Sequence, residues 1–367
     1  MSHTRRMPMI DALKAVASQI VLLHHFSSYG PLAETARDLL PGLLGWLYDY
    51  GRMAVQVFLV VAGFLAARGL SPQGGALAAS PLPLLWKRYQ RLIIPFLAAI
   101  GIAIIGSAIA DHWMDDDAIP ARAGFAQWLA HATLLHGVLG FDSLSAGVWY
   151  VAIDFQLFAL MALLLWAGRR TFVAPLLVLS VGAASLFWFN RNPELDNWAI
   201  YFFGSYALGA AAWWASDRRR LSAWTGVIAT VALAALVVDF RLRIALALGV
   251  ALLLAVGRRS GLLERWPDAA PLAFLGRISY SVFLVHFPIL LLANGLFVQF
   301  EGETPVAALF GLLAAWTVSL LAATAFYRWI EGPEASRRIA DSLGSLFARS
   351  REALRLVPSR LRRLLGA

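Results

Sequence analysis

Runs of about twenty apolar residues recur along the whole chain, each long enough to cross the hydrocarbon core of a bilayer as a helix. Approximate spans are 8–27, 51–69, 89–110, 145–167, 172–190, 197–216, 222–239, 242–257, 274–297 and 305–328. Of the 367 residues, 60% are hydrophobic and 14% charged, which is more apolar surface than a soluble core of this size hides. Lipid offers backbone groups no partners, so the spans must satisfy their own hydrogen bonds. The expected fold is an all-α, polytopic transmembrane bundle of about ten helices.

Charge placement orients it. The net charge is +9, and the basic residues cluster in the gaps between spans, as topology signals do. With both termini in the cytoplasm, 24 Lys and Arg fall on the inner side and 6 on the outer. The inverse arrangement puts the excess on the wrong side. This placement argues against nucleic acid as the partner of the positive charge. Residues 111–144 form the largest outer segment; 125–136 are helical in pattern but too short to span. The chain divides into a transmembrane domain, 1–335, and a basic tail, 336–367, with Leu at helical spacing. Such a tail is expected to lie as an amphipathic helix on anionic membrane lipids. Arg5 and Arg6 precede a stretch interrupted by Lys14, His24 and His25, with no small-residue cleavage site, so that stretch reads as a retained first helix. With no Cys, disulfides, thiolate metal sites and Cys nucleophiles are excluded, and no metal site is expected: the acidic run Asp115–Asp117 reads as a solvated loop.

Ionisable groups inside apolar spans are costly, and each is therefore a candidate for function. Lys14 and His25 are eleven residues apart. Eleven steps of about 100° return them to one helix face, separated by roughly 16 Å along the axis. Lys14 then lies toward the cytoplasm and His25 toward the outside. His24 points away from His25 and reads as a packing residue. His286 sits near the middle of its span, where a purely structural histidine is unusual. Lys14 also fits a snorkelling anchor, and Arg88 and Arg91 fit plain topology anchors.

Lys14-x10-His25 resembles the basic-x10-His signature of the membrane acyltransferase-3 family. Further motifs follow in that family's order. Gly51–Phe64 resembles its second-helix stretch, Arg88-Tyr-Gln-Arg91 its Arg-x-x-Arg, and Trp149-x4-Asp154-x-Gln156 its Trp-x4-Glu-x-Gln. Leu275–Pro288 is the closest match, and Glu331-Gly-Pro333 matches the closing Glu-x-Pro. The resemblance runs from about residue 8 to 335. The chain departs from the pattern at Gln56, where the family has an acid, at Ala62, where it has Ser, and at Asp154, where it has Glu. Lys14 stands where Arg is commoner.

The resemblance implies an acyltransferase that moves a short acyl group from cytoplasmic acyl-CoA to a hydroxyl of an envelope glycan or a lipid-linked acceptor. It implies residence in a bacterial-type inner (plasma) membrane, with acyl-CoA a substrate and no permanently bound cofactor. An alcohol is a poor nucleophile near neutral pH, and imidazole is suited to take its proton. His25 is thus the expected base or, alternatively, an acylated nucleophile. Asp154 and His286 are expected beside it in the catalytic set. Lys14, Arg88 and Arg91 are expected to hold the donor's phosphates. Trp149, Gln156, Glu331 and Pro333 are expected to shape the site. The alternative reading is a transporter or flippase for an envelope glycan or acylated intermediate, which also needs buried polar residues. The sequence neither requires nor excludes a homodimer.

Overall fold

The computed structural model describes residues 6–170, 173–216, 223–300, 304–335 and 338, so the expected tail helix lies outside the described residues. Helices are the only regular structure among them. In chain order they are α1 (Pro8–Ser28), α2 (Pro31–Arg37), α3 (Pro41–Tyr50), α4 (Val55–Leu70), α5 (Leu82–Trp113), α6 (Phe125–Ala132), α7 (Val148–Ala167), α8 (Ala174–Phe187), α9 (Ala199–Ala215), α10 (Ala223–Val238), α11 (Leu242–Ser260), α12 (Ala270–Gln299) and α13 (Pro305–Phe326). Proline opens many of them: α1, α2, α3, α5, α8, α12 and α13 carry it at the first or second position, where its missing N–H costs nothing. Gly261, at φ 79°, ends α11 in the left-handed conformation that favours glycine.

Six segments are long and apolar enough to cross a membrane: Pro41–Leu70, Leu82–Trp113, Val148–Ala167, Ala174–Arg191, Ala270–Gln299 and Pro305–Ala335. The first joins α3 to α4 through a 3-10 turn, Gly51–Ala54, and so begins earlier than the sequence pattern suggests. Four expected spans have helices in place, α1, α9, α10 and α11, yet fall outside those six. α9 and α10 are short, with 17 and 16 residues, and α1 is diluted by Asp11, Lys14, His24 and His25. α6 is the expected short helix of the segment 111–144.

α12 is the hub. It packs along α1, α5 and α13. Of its most apolar window 67% is buried, against 28% for α13, which therefore turns most of its surface outward. The outward side chains on α5, α11 and α13, such as Ile105, Val256 and Phe310, are the large apolar residues that lipid solvates. A second centre forms where α9 crosses α4. There Gly63 meets the Tyr206 carbonyl and Gly209 the Val60 carbonyl so closely that a Cβ at either would collide with backbone. Small residues permit this approach, and dispersion contacts hold it.

Backbone cannot move aside as a side-chain tip does. Gly209→Ala is therefore expected to cost more than the ~1–3 kcal/mol usual for overpacking. Gly249→Ala, where a Cβ meets nothing, is expected to be neutral or stabilising. Thermal midpoints of the two variants in detergent check this; equal midpoints would contradict the tight crossing.

Candidate active site

The packing of α1 along α12 brings together two residues 261 positions apart. His25 Nδ1 lies 2.6 Å from His286 Nε2. The ring planes are within 11° and the centroids 4.9 Å apart. A centroid separation so much longer than the N···N distance places the rings edge to edge, in line for a hydrogen bond. His286 Nδ1 lies 2.9 Å from the Val282 carbonyl oxygen, one turn earlier on α12. That oxygen only accepts, so His286 carries its proton on Nδ1. Its Nε2 then bears a lone pair, and His25 must donate from Nδ1. The lone pair of the neutral His25 ring is left on Nε2, which hydrogen-bonds no other group among the described residues. A positive charge on either ring would be costly, because both are buried and no carboxylate is bonded to either among the described residues. The arrangement fixes tautomer and orientation, as the third member of a nucleophile–base–orienter set does.

The chain leaves α1 through a turn that holds His25 in place. Gly30, at φ 82°, occupies the left-handed region, and a Cβ there would overlap Asn294. Asn294 Oδ1 accepts from the Leu32 amide at 2.9 Å, and its Nδ2 donates to the Leu290 and Tyr29 carbonyls.

His25 lines a cavity of about 770 Å³ between the ends of α1, α4 and α7 and the segment 117–146. Trp149, Phe141 and Tyr29 supply aromatic surface; Arg52, Asp117, Asp142 and Gln127 supply polar groups. His24 lines it too, tied to the Leu47 carbonyl at 3.0 Å, so the expected packing residue is also a wall residue. The segment over the cavity is riveted by a stacked pair, His131 and His136, with centroids 4.0 Å apart. His131 Nδ1 donates to the Gln127 carbonyl and its Nε2 accepts from the Leu144 amide. Burial, reinforced by His131, pushes the His136 imidazole down to about 3, so the pair stacks uncharged at neutral pH.

The other expected site residues form two further groups. Asp154, on α7, accepts from Arg88 Nη2 at 2.5 Å, and the Arg88 guanidinium lies 4.8 Å from the Phe158 ring centroid. Tyr150 and Tyr206 lie within electrostatic reach of this pair. Lys14 and Arg91 have Glu331 as their shared charged neighbour. Glu331 sits on a π-helical turn, Tyr327–Glu331, that closes α13 ahead of Pro333, and it accepts from the Ser281 hydroxyl of α12. Tyr280 lies within electrostatic reach of both groups. Of the motif residues, Trp149 reaches the cavity, while Gln156 Oε1 accepts from the Ala199 amide at the start of α9. Gln56 accepts from Ser205 at 2.6 Å.

His25 and His286 are thus brought into contact, whereas Asp154 and Arg88 pair with each other and Lys14 and Arg91 gather around Glu331. Asn294 and Ser281, unremarked in the sequence, are polar residues inside an apolar span and carry that signal. The Val282 carbonyl carries none. Among the described residues no three His, Asp or Glu gather as a metal ion would require.

Removing one partner of a buried ion pair strands the other, at a cost of about 3–5 kcal/mol. Asp154→Ala and Arg88→Ala are each expected to lower the thermal midpoint, and the double variant to lose less than the sum. Additive losses would show that the two side chains do not depend on each other.

A family profile described as "Acyltransferase domain" (Acyl_transf_3) matches residues 8–324. Comparison with curated proteins and with solved structures finds no match. The matched stretch contains the whole of α1, Lys14 and His25 included, and ends within α13, so it spans the bundle just described. The chain belongs to the acyltransferase-3 family and is a multi-pass membrane acyltransferase.

Proposed function

We propose that this protein transfers a short acyl group, such as acetyl, from cytoplasmic acyl-CoA to a hydroxyl of an envelope glycan or lipid-linked acceptor in a bacterial-type plasma membrane. The observation that carries the reading is the cavity-facing His25 held by His286. The excess of Lys and Arg in one set of loops supports a ten-span topology with cytoplasmic termini. In that orientation the His25 cavity opens outward, and Lys14, Arg91 and Glu331 lie at the cytoplasmic end.

The donor's phosphates suit the cationic end. Lys14 and Arg91 form no ion pair within 4 Å among the described residues; Glu331 acts on both only at longer range, so either cation would have room for a direct phosphate contact. Arg88 would contribute only the guanidinium nitrogens that Asp154 leaves open. Between the two ends runs a polar column. Its members are Glu331 with Ser281, Tyr280, the Arg88–Asp154 pair and Tyr150, joined by hydrogen bonds within the two pairs and by electrostatic reach between them. Tyr150 packs edge-on against Phe283, and Phe283 against His286. The pantetheine arm of an acyl-CoA would follow this column, carrying its thioester toward His25. The acceptor would enter the outer cavity, where aromatic faces and carboxylates offer the mixed surface that sugars bind. His25 Nε2 then takes the hydroxyl proton as the oxygen attacks the thioester carbonyl, the C–S bond breaks, and the departing thiolate takes that proton, so the imidazolium is transient; His286 accepts the hydrogen bond that holds the ring in its reactive tautomer.

Loss of a general base lowers turnover by about 10²–10⁴-fold. His25→Ala is expected to fall in that range at unchanged abundance. His286→Ala is expected to lower kcat with the KM for acyl-CoA little changed, because its role is orientation. The assay is release of CoA and acyl transfer by purified variants in nanodiscs. Full activity in His25→Ala would refute the proposed base, and stable labelling of the protein by radioactive acyl-CoA would replace it with an acyl-histidine route.

A further inference from the structure

The proton chain leaves one polar group on the cavity wall without a role. Ser145 lines the same cavity as His25. It is 2% exposed, yet its hydroxyl has no hydrogen-bond partner. Burying an unpaired hydroxyl is unfavourable, so its partner is to be sought in the cavity, as water in the resting protein and as substrate during turnover. Three residues later begins α7, a 20-residue helix whose Trp149 also faces the cavity. Of its first-turn amides, Val148 donates to the Ser145 carbonyl and Tyr150 to the Gly147 carbonyl. The helix N-terminus adds a positive dipole end at the same place. The sequence permits a close approach here: a Cβ on Gly147 would meet the Phe283 carbonyl at 2.7 Å and crowd its ring. Without one, the start of α7 seats against the turn of α12 that carries His286.

We propose that the Ser145 hydroxyl, backed by the N-terminus of α7, donates the hydrogen bond that stabilises the oxyanion formed beside His25. The inference rests on the acyl-transfer reading. As the acceptor oxygen bonds to the carbonyl carbon, the C=O π pair moves onto the carbonyl oxygen, and the acceptor's proton passes to His25 Nε2. Ser145 and the dipole of α7 meet the new negative charge. When the pair returns, the C–S bond breaks and the thiolate leaves, taking the proton from His25. Ser145 is not the nucleophile: among the described residues no base is hydrogen-bonded to its hydroxyl.

The test uses the full-length protein in nanodiscs with acetyl-CoA as donor and water as acceptor, since attack by water builds the same oxyanion. Removing one such donor elsewhere costs about a hundredfold or more in kcat. Ser145→Ala is therefore expected to slow CoA release about a hundredfold, with the KM for acetyl-CoA within about twofold of wild type. Ser145→Thr, which keeps a hydroxyl, is expected to restore most of the rate. Ser145→Ala turning over at the wild-type rate would overturn the proposal, as would a loss that tracks a lowered thermal midpoint and is not restored by Thr. CoA release that depends on His25 but not on Ser145 removes the oxyanion role alone. Release identical in wild type and His25→Ala removes the acyl-transfer reading and this proposal with it.

Discussion

A polar group within a lipid-facing helix bundle finds its partner inside the bundle or pays heavily for the lack of one. The chain from the Val282 carbonyl through His286 to His25 meets this constraint, and the proposed chemistry depends on it. A backbone oxygen that only accepts dictates the protonation of one ring, and that ring dictates the protonation of the next. Two buried imidazoles are thereby satisfied without a buried charge. The nitrogen left over carries a lone pair, on a residue that lines the cavity. Everything that sets the distance between α1 and α12 consequently bears on the chemistry. Gly276 is one such element: a Cβ there would collide with the Asp11 carbonyl at the far end of the same helix pair. Asn294 is another, locking the turn that follows His25.

The same constraint explains why the remaining polar residues inside the bundle occur in pairs. The Arg88–Asp154 pair satisfies two charges that neither α5 nor α7 could hold alone. Ser281 and Glu331 tie α12 to the π-helical turn after α13. Gln56 and Ser205 join α4 to α9. Each bond joins separate elements, and those of Arg88 with Asp154 and Gln56 with Ser205 link helices that are not consecutive, so the polar interior also specifies which helices are neighbours. The stacked His131–His136 pair likewise satisfies polar rings within the segment that borders the cavity.

Much of the fold was legible in the sequence because hydropathy and length are local properties. The spans on α5, α7, α12 and α13 were visible as apolar runs, and α6 as a helix too short to cross. Position in the bundle was not, since it depends on pairing: nothing in residues 148–167 says that Asp154 will meet Arg88, 66 positions away. For the site, the rarity of ionisable residues in apolar spans singled out Lys14, His25 and His286. It did not separate the contact that formed, His25 with His286, from the stripe that Lys14 and His25 share on one helix. Ser145 escaped notice because a serine at the very edge of the span expected at 145–167 carries little cost in sequence; its meaning lies in being buried and unpaired. The role of Val282 was invisible in principle, being a property of its backbone oxygen.

On the proposed route, donor and acceptor reach His25 from opposite sides of the membrane. Proteoliposomes of known orientation test it directly, with radiolabelled acetyl-CoA confined to one face and a soluble glycan acceptor to the other. The account requires transfer when acetyl-CoA is on the face of Lys14 and Arg91 and the acceptor on the face of the His25 cavity, and none when the two are exchanged. Transfer of equal rate with both substrates confined to a single face would contradict it.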